Sequence, residues 1–400
     1  MTGPSYPPAR AVASRVRAHI AHQMILARER GETDLAPEAD LEAIEAIIGA
    51  AFWASLRREE GYSPTISLAF LPPARAFRPM TFEPRLSLAP DALARLAPAV
   101  KQSGIHLGVW RDGAAAATGT RGGVPGAMAA TETPRGELCV WGTTSTLPAL
   151  CFVLEVIAPG LLVVKYPHGA SGKFVNIVVL EGDQVKIVDE QGASIPDCPE
   201  VVSALLGFDA PLSWAGTVNV FVRLAVSMRA HGRGGALLVV PADSERWRHS
   251  IVKPIRYSVA PPFREIADLM AYAPADRAHR QWQDELTHAV DAVAGLTAVD
   301  GATVMNDRYE LLAFAVKIAR HEESARVQEV IVTEPVEGMA ASTINPSELG
   351  GTRHLSAAQF VFDQRDASAL VASQDGRFTI FQWSPCEAMV HAHRVEALLL

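Results

Sequence analysis

The chain has 400 residues, 49% hydrophobic and 20% charged, the balance of an ordinary globular protein. At roughly 100–200 residues per domain that length predicts two domains. A formal net charge of −8 excludes the global basic surface of a protein that coats nucleic acid, but a single nucleotide needs only a few placed cations and backbone amides. Cys139, Cys151, Cys198 and Cys386 are scattered without a CxxC pair, which argues against a zinc site and suits reduced thiols. Met1–Arg10 has no apolar core of a signal peptide, and no apolar run reaches the ~18 residues of a membrane span. The expectation is a cytoplasmic protein without a membrane partner.

In chain order, residues 9–31 predict a helix of mixed charge. A second helix follows from Asp40 to about Glu60, with Asp40 as N-cap. Its residues Leu41, Ile44, Ile47, Ile48, Ala51, Phe52 and Leu56 keep helical spacing. The Pro-rich stretch with Pro72, Pro73, Pro79 and Pro84 reads as a connector or as short edge strands. Pro90–Lys101 reads as a short helix. From Ile105 to Asp189 apolar and alternating runs separated by Gly turns predict strands, among them Phe152–Ile157, Leu161–Tyr166 and Val175–Leu180. Helical stretches are expected over Glu200–Gly207 and within Trp214–His231.

Beyond that point strands and helices alternate, which predicts an α/β domain. Gly235–Pro241 is a continuous apolar strand. Phe263–Ala271 and Trp282–Ala294 read as helices, with Trp282 in the core. Gly301–Met305 and Leu311–Ile318 read as strands, and Ser356–Gln364 as a helix. A hairpin over Ala369–Trp383 turns at Asp375-Gly376. His391 and His393 read as part of a solvated tail helix, and Lys165, His168 and Lys173 as flanks of a solvated turn at Gly169–Gly172.

Three segments bear on chemistry. Gly234–Pro241 by itself is a buried strand. In Asp300-Gly301-Ala302 a carboxylate at a strand start can hold a divalent cation while two small residues admit a ligand to the backbone, although Asp-Gly is also a common turn pair. Gly350-Gly351-Thr352-Arg353-His354, followed by a helix, suits a phosphate: free N–H groups, hydroxyls from Thr352 and Ser356, and the Arg353 fork. The plainer alternative is a loop in which Ser356 caps the helix.

Taken in order, GALLVVP, Asp-Gly-Ala, Leu-Gly-Gly-Thr-Arg-His and Ser373-Gln374-Asp375-Gly376 resemble the diadenylate cyclase domain over about 225–385. The preceding stretch, including Thr143–Asp189, resembles the predicted sensor region DACNV. The resemblance implies an α/β fold: a C-terminal diadenylate cyclase-like domain, with a mixed central sheet flanked by helices, preceded by an α+β sensor-like domain. Residues 1–224 would form the sensor or regulatory region, helical over 1–100 and β-rich over 105–190. Residues 225–400 would form the cyclase-like domain, ending in a helix. The resemblance further implies catalytic roles for Asp300, Arg353 and His354. It implies nucleotide contacts from Gly301, Ala302, Gly351, Thr352, Arg353, His354 and Ser356, and a Mg²⁺ or Mn²⁺ ion at Asp300 and Asp375. ATP would be substrate, cyclic di-AMP product or ligand, a homo-oligomer the working form, and an unknown effector the ligand of the N-terminal region. Two positions depart from the family pattern. Arg-His-Arg reads Arg353-His354-Leu355, a lost cation that could cost about 2–4 kcal/mol of transition-state stabilisation. Ser-Glu-Glu reads Ser373-Gln374-Asp375. The alternative is therefore a nucleotide-binding sensor that has lost turnover.

Overall fold

The computed structural model describes residues 5–59, 61–100, 104–112, 136–168, 173–189, 219–273, 276–322 and 324–400. The expected helix at Glu200–Gly207, the Gly169–Gly172 turn and Cys198 lie outside the described residues. The chain divides into two compact units, Met1–Val188 and Asp189–Leu400, each a mixed α/β structure with its own sheet.

The N-terminal unit begins with α1 (Pro7–Glu29) and α2 (Leu41–Ser55). Asp40 caps α2, its carboxylate accepting from the Ala43 N–H at 2.8 Å. Strands β1 (Ile66–Phe70) and β2 (Met80–Ser87), helix α3 (Pro90–Leu96), and strands β3 (His106–Arg111), β4 (Leu138–Thr144), β5 (Val153–Ala158), β6 (Leu161–His168), β7 (Lys173–Glu181) and β8 (Gln184–Ile187) follow. The sheet order is β2-β4-β3-β1-β5-β6-β7-β8, with β1 and β3 parallel. The Pro-rich stretch is thus in part an edge strand. Alternation along β1 sorts its side chains. Ile66, Leu68 and Phe70 enter the main core, which α1, α2 and α3 share. Ser67 turns to the other face, where its hydroxyl lies 2.7 Å from His106 Nδ1. The same face carries the Lys165–Glu155 ion pair. Lys165 is therefore buried against Glu155 and the Phe174 ring, not part of a solvated turn. Gly108 on β3 is required by close packing: a Cβ there would fall 2.1 Å from the Trp141 indole.

The C-terminal unit contains α4 (Val220–Ala230), β9 (Gly235–Val240), β10 (Tyr257–Phe263), α5 (Glu265–Met270), α6 (Arg280–Thr297), β11 (Ala302–Asn306), β12 (Leu311–Val316), β13 (Val330–Thr333), β14 (Ser342–Ile344), α7 (Pro346–Leu349), α8 (Thr352–Asp363), β15 (Ser368–Ala372), β16 (Phe378–Ser384), β17 (Met389–Arg394) and α9 (Glu396–Leu399). Its sheet order is β10-β12-β11-β9-β15-β16-β17-β13-β14. Strand β9 is central, parallel to β11 and antiparallel to β15. Leu237 and Val239 pack with α4 and α6, whereas Ala236, Leu238 and Val240 pack with α8. A strand covered on both faces has no solvent side, which explains why the run is apolar without alternation. Trp282 is in the core as expected, its indole N–H donating to the Leu269 carbonyl at 2.9 Å.

Three expectations are corrected. Helix α8 starts at Thr352, four residues before Ser356, with Gly351 at the N-cap. A Gly cap contributes no side chain, so Ser356 marks no boundary. The edge strand β10 and the β13–β14 hairpin were not expected: β10 carries Pro261 and Pro262, and β13 and β14 are only four and three residues long. His391 and His393 lie on β17 and are buried, not on a solvated helix. At i, i+2 on a strand they share one face, with His393 Nδ1 2.6 Å from the Thr333 hydroxyl and His391 Nε2 2.5 Å from Glu387.

Burial holds both His106 and His393 neutral, His106 down to about 4 and His393 to about 3 from an ordinary 6.5. Once the chain unfolds, each imidazole is free to take a proton near pH 6.5. The stability each contributes is therefore complete above pH 6.5 and lost as the pH falls, at roughly 2 kcal/mol per group between pH 6.5 and pH 5. Urea denaturation at pH 7.5 and pH 5 should show both units weakened by acid; equal midpoints would contradict two neutral buried histidines.

Candidate functional site

The pairing register gathers the chemical groups at one end of the C-terminal sheet. Gly235 at the start of β9 pairs with Ala372 at the end of β15. Thr303 of β11 lies beside Leu237, which brings Asp300 alongside the residues just before β9. Ala302 pairs with Val316, so Lys317 emerges at the same end. Across β15 and β16, Ala372 pairs with Phe378, and Thr379 with Arg394. Thr333 pairs with His393. The end of the sheet thus presents Lys317, Asp300, Gly234, Gln374, Asp375, Arg377, Arg394 and Glu334 in order, with the head of α8 beside them.

Gly234, at φ +69°, makes room for Arg353. A Cβ on Gly234 would lie 2.9 Å from the Arg353 guanidinium and 3.3 Å from both the Ala372 carbonyl and the Gln374 side chain. Arg353 is half-buried there and, among the described residues, makes no ion pair or hydrogen bond. Its charge joins that of Lys317 in holding the Asp300 carboxyl low, without a direct contact, and an arriving anion would give this partly desolvated guanidinium the charged hydrogen bonds it lacks. No side chain caps α8 at Gly351, so the positive end of a 12-residue helix is open. Thr352 and Ser356, four apart, share a face, Thr352 exposed and Ser356 half-buried.

His354 is buried against Gly350 and edge-on to Phe381. Desolvation lowers its pKa. Asp375 opposes that shift, while Arg377, Arg353 and Arg394 reinforce it. The imidazole is thus held neutral among three guanidinium groups, a hydrogen-bonding group rather than a charge. Asp300 stands with its side chain 92% exposed, 2.6 Å from the Lys317 ammonium, whose hydrogen bond and charge hold the carboxyl below its ordinary range. Gly301, at φ +128°, lets the chain pass the β12 backbone: a Cβ would fall 2.6 Å from the Ala315 carbonyl carbon. Ala302 is buried as the first residue of β11. Burial works to raise the Asp375 carboxyl, but hydrogen bonds from Ser373 and from the Arg377 N–H, with the Arg377 charge, keep it low.

The structure therefore brings Asp300, Gly301, Gly351, Thr352, Arg353 and His354 to one locality, with Asp375 on the adjoining β15–β16 turn, one strand beyond β9, where its charge reaches His354. Of the two acids expected to hold a metal, Asp300 is the more exposed, at the head of β11, where its carboxylate is paired with Lys317; a hard divalent cation takes such oxygen donors. Among the described residues no group of three or more His, Cys, Asp or Glu side chains is placed to hold a metal ion without a nucleotide. Sequence reasoning missed Lys317, Arg377 and Arg394. The signal for Arg377 was its place directly after the Asp375-Gly376 turn; the other two followed strands whose register only the fold supplies.

Residues 33–120 match the family described as probable sensor domain DACNV. The match covers α2 through β3 in the N-terminal unit, ahead of the Thr143–Asp189 stretch that the sequence itself suggests. A search of curated proteins returns no match to this chain. Among the described residues no helix is long and apolar enough to cross a membrane.

The two glycines of the site should respond unequally to a methyl group. Left-handed backbone costs an alanine about 1–2 kcal/mol at either position. At Gly234 the nearest obstacle is the movable end of Arg353; at Gly301 it is β12 backbone. Gly301→Ala should therefore lower the urea midpoint more than Gly234→Ala. The reverse order would mean that Gly301 is not pinned against β12.

Proposed function

We propose that the C-terminal unit is a diadenylate cyclase-type domain that joins two ATP molecules into cyclic di-AMP and releases two pyrophosphates, under control of the N-terminal sensor domain. The observation that carries this reading is the half-buried, unpaired Arg353 laid across Gly234 at the open head of α8. With Asp300 at the same end of the sheet, it supports a site for a triphosphate next to a carboxylate. In this reading Thr352, Arg353 and Ser356 bind phosphate oxygens, neutral His354 donates a hydrogen bond, and the nucleoside lies against the Asp300–Ala302 turn. Mg²⁺ or Mn²⁺, when bound at Asp300, would offset charge on the phosphates. Asp300 orients the ribose 3′-hydroxyl. Each hydroxyl attacks the α-phosphate held by the facing domain, and pyrophosphate leaves in line. The protein's contribution is position and charge. Two phosphodiester bonds between two nucleotides require two domains face to face, hence a homodimer or larger symmetric oligomer.

A second reading has specific support. Leu355 is 42% exposed on the first turn of α8, where the cyclase pattern has a cation, and Gln374 is neutral. Both favour a domain that binds a nucleotide without turning it over and signals its presence.

Mass spectrometry of the protein incubated with ATP and either metal distinguishes the two: cyclic di-AMP supports the enzyme, and its absence with ATP still bound supports the sensor. Arg353→Ala should weaken ATP binding by about 1.5–3 kcal/mol in calorimetry; an unchanged affinity in the folded variant removes the site assignment. If product forms, Asp300→Asn should abolish it without altering the fold, and specific activity should rise with protein concentration or be flat in a stable oligomer. A strict monomer with concentration-independent synthesis is incompatible with facing domains.

A further inference from the structure

Beside the head of α8, away from Asp300, a cavity of about 180 Å³ opens among Arg377, Arg394, Glu334, Glu348, Leu349 and Met339. It belongs to the same sheet end, and its wall continues into the phosphate loop: Glu348 and Leu349 are the last residues of α7, immediately before Gly350-Gly351-Thr352. Its two arginines are not equivalent. Arg394 is tied to Glu396 at 2.7 Å and faces Glu334 at 3.9 Å. Arg377 is 56% exposed, and its Nε lies 3.4 Å from Asp375. Among the described residues no partner is shown for its two terminal nitrogens. Arg377 also sits on the tight Asp375-Gly376 turn, whose Gly376 carbonyl accepts from Arg229 Nε at 2.9 Å, so its backbone is anchored while its guanidinium is engaged through Nε with Asp375.

We propose that Arg377 is the second phosphate-directed cation of this site, supplying from the β15–β16 turn the charge that Leu355 does not supply from α8, and that the distal phosphates of a bound polyphosphate lie over the cavity it borders. Arg353 on α8 and Arg377 on the β15–β16 turn both act by charge on the buried His354, which puts the two guanidinium groups on the same side of the sheet end, one at each side of that imidazole's surroundings. A fork with two free nitrogens suits terminal phosphate oxygens better than a fully paired arginine does. The assignment rests on the reading of α8 as a phosphate site, but it does not require turnover or adenine.

The test uses the full chain with inorganic tripolyphosphate as probe and adenosine as control, both followed by calorimetry. Arg377→Ala should weaken tripolyphosphate binding at least tenfold and leave any adenosine binding unchanged, whereas Arg377→Lys should retain most of the affinity. Because Arg377 is exposed, both variants should melt like the parent. Arg377→Ala within twofold of the parent for tripolyphosphate, or no tripolyphosphate binding by the parent, overturns the proposal. Tenfold loss in Arg377→Ala in a protein that binds ATP no better than tripolyphosphate supports Arg377 and removes the nucleotide reading instead.

Discussion

Strand β9 of the C-terminal unit is buried at all six positions, and the layers around it follow from that fact. An apolar strand in mid-sheet must be covered on both faces, so α4 and α6 pack on one side and α8 on the other. Packing α8 against β9 fixes where its first turn falls, beside the glycine that precedes the strand. The close approach of Arg353 to Gly234 follows from hydrophobic packing some distance away. A larger residue at Gly234, or a shifted α8, would remove the space in which the guanidinium lies.

The electrostatics of that sheet end are uneven in a way that matters. Lys317 pairs with Asp300, and Glu396 and Glu334 engage Arg394, while Arg353 makes no salt bridge among the described residues and acts on Asp300 only through its charge. Surface ion pairs contribute little to stability, so those pairs mainly set the local field. The unbalanced cation is the element with a direction: it favours an anion at the head of α8. His354 adds a neutral donor in the same place, kept uncharged by desolvation and by neighbouring arginines.

What the sequence disclosed, and what it hid, follows from how local each signal was. The β9 run, the Asp40 cap and the Asp375-Gly376 turn are encoded by adjacent residues, and each is where the residues place it. The start of α8 was hidden because its cap is glycine, which carries no hydrogen-bonding side chain. His391 and His393 were misread because i, i+2 spacing splits residues on a helix but unites them on a strand, and a strand of six residues between an exposed turn and the chain's end has a weak pattern. At the site, Asp300 through Ala302 and Gly351 through His354 were legible as motifs. Lys317 and Arg377 were not, since their relevance depends on strand register, which is a property of the whole sheet.

The outer strands of both sheets share a feature with a consequence for assembly. At the ends of the described sheets stand β2, which contains Pro84, β8 with four residues, β10, which contains Pro261 and Pro262, and β14 with three. A proline has no N–H to offer a neighbouring chain, and a three- or four-residue strand offers too short a ladder to hold one. Among the described residues, the sheet edges are therefore poorly equipped to extend one copy's sheet into another's. The helices and strand ends among the described residues offer the surfaces that remain.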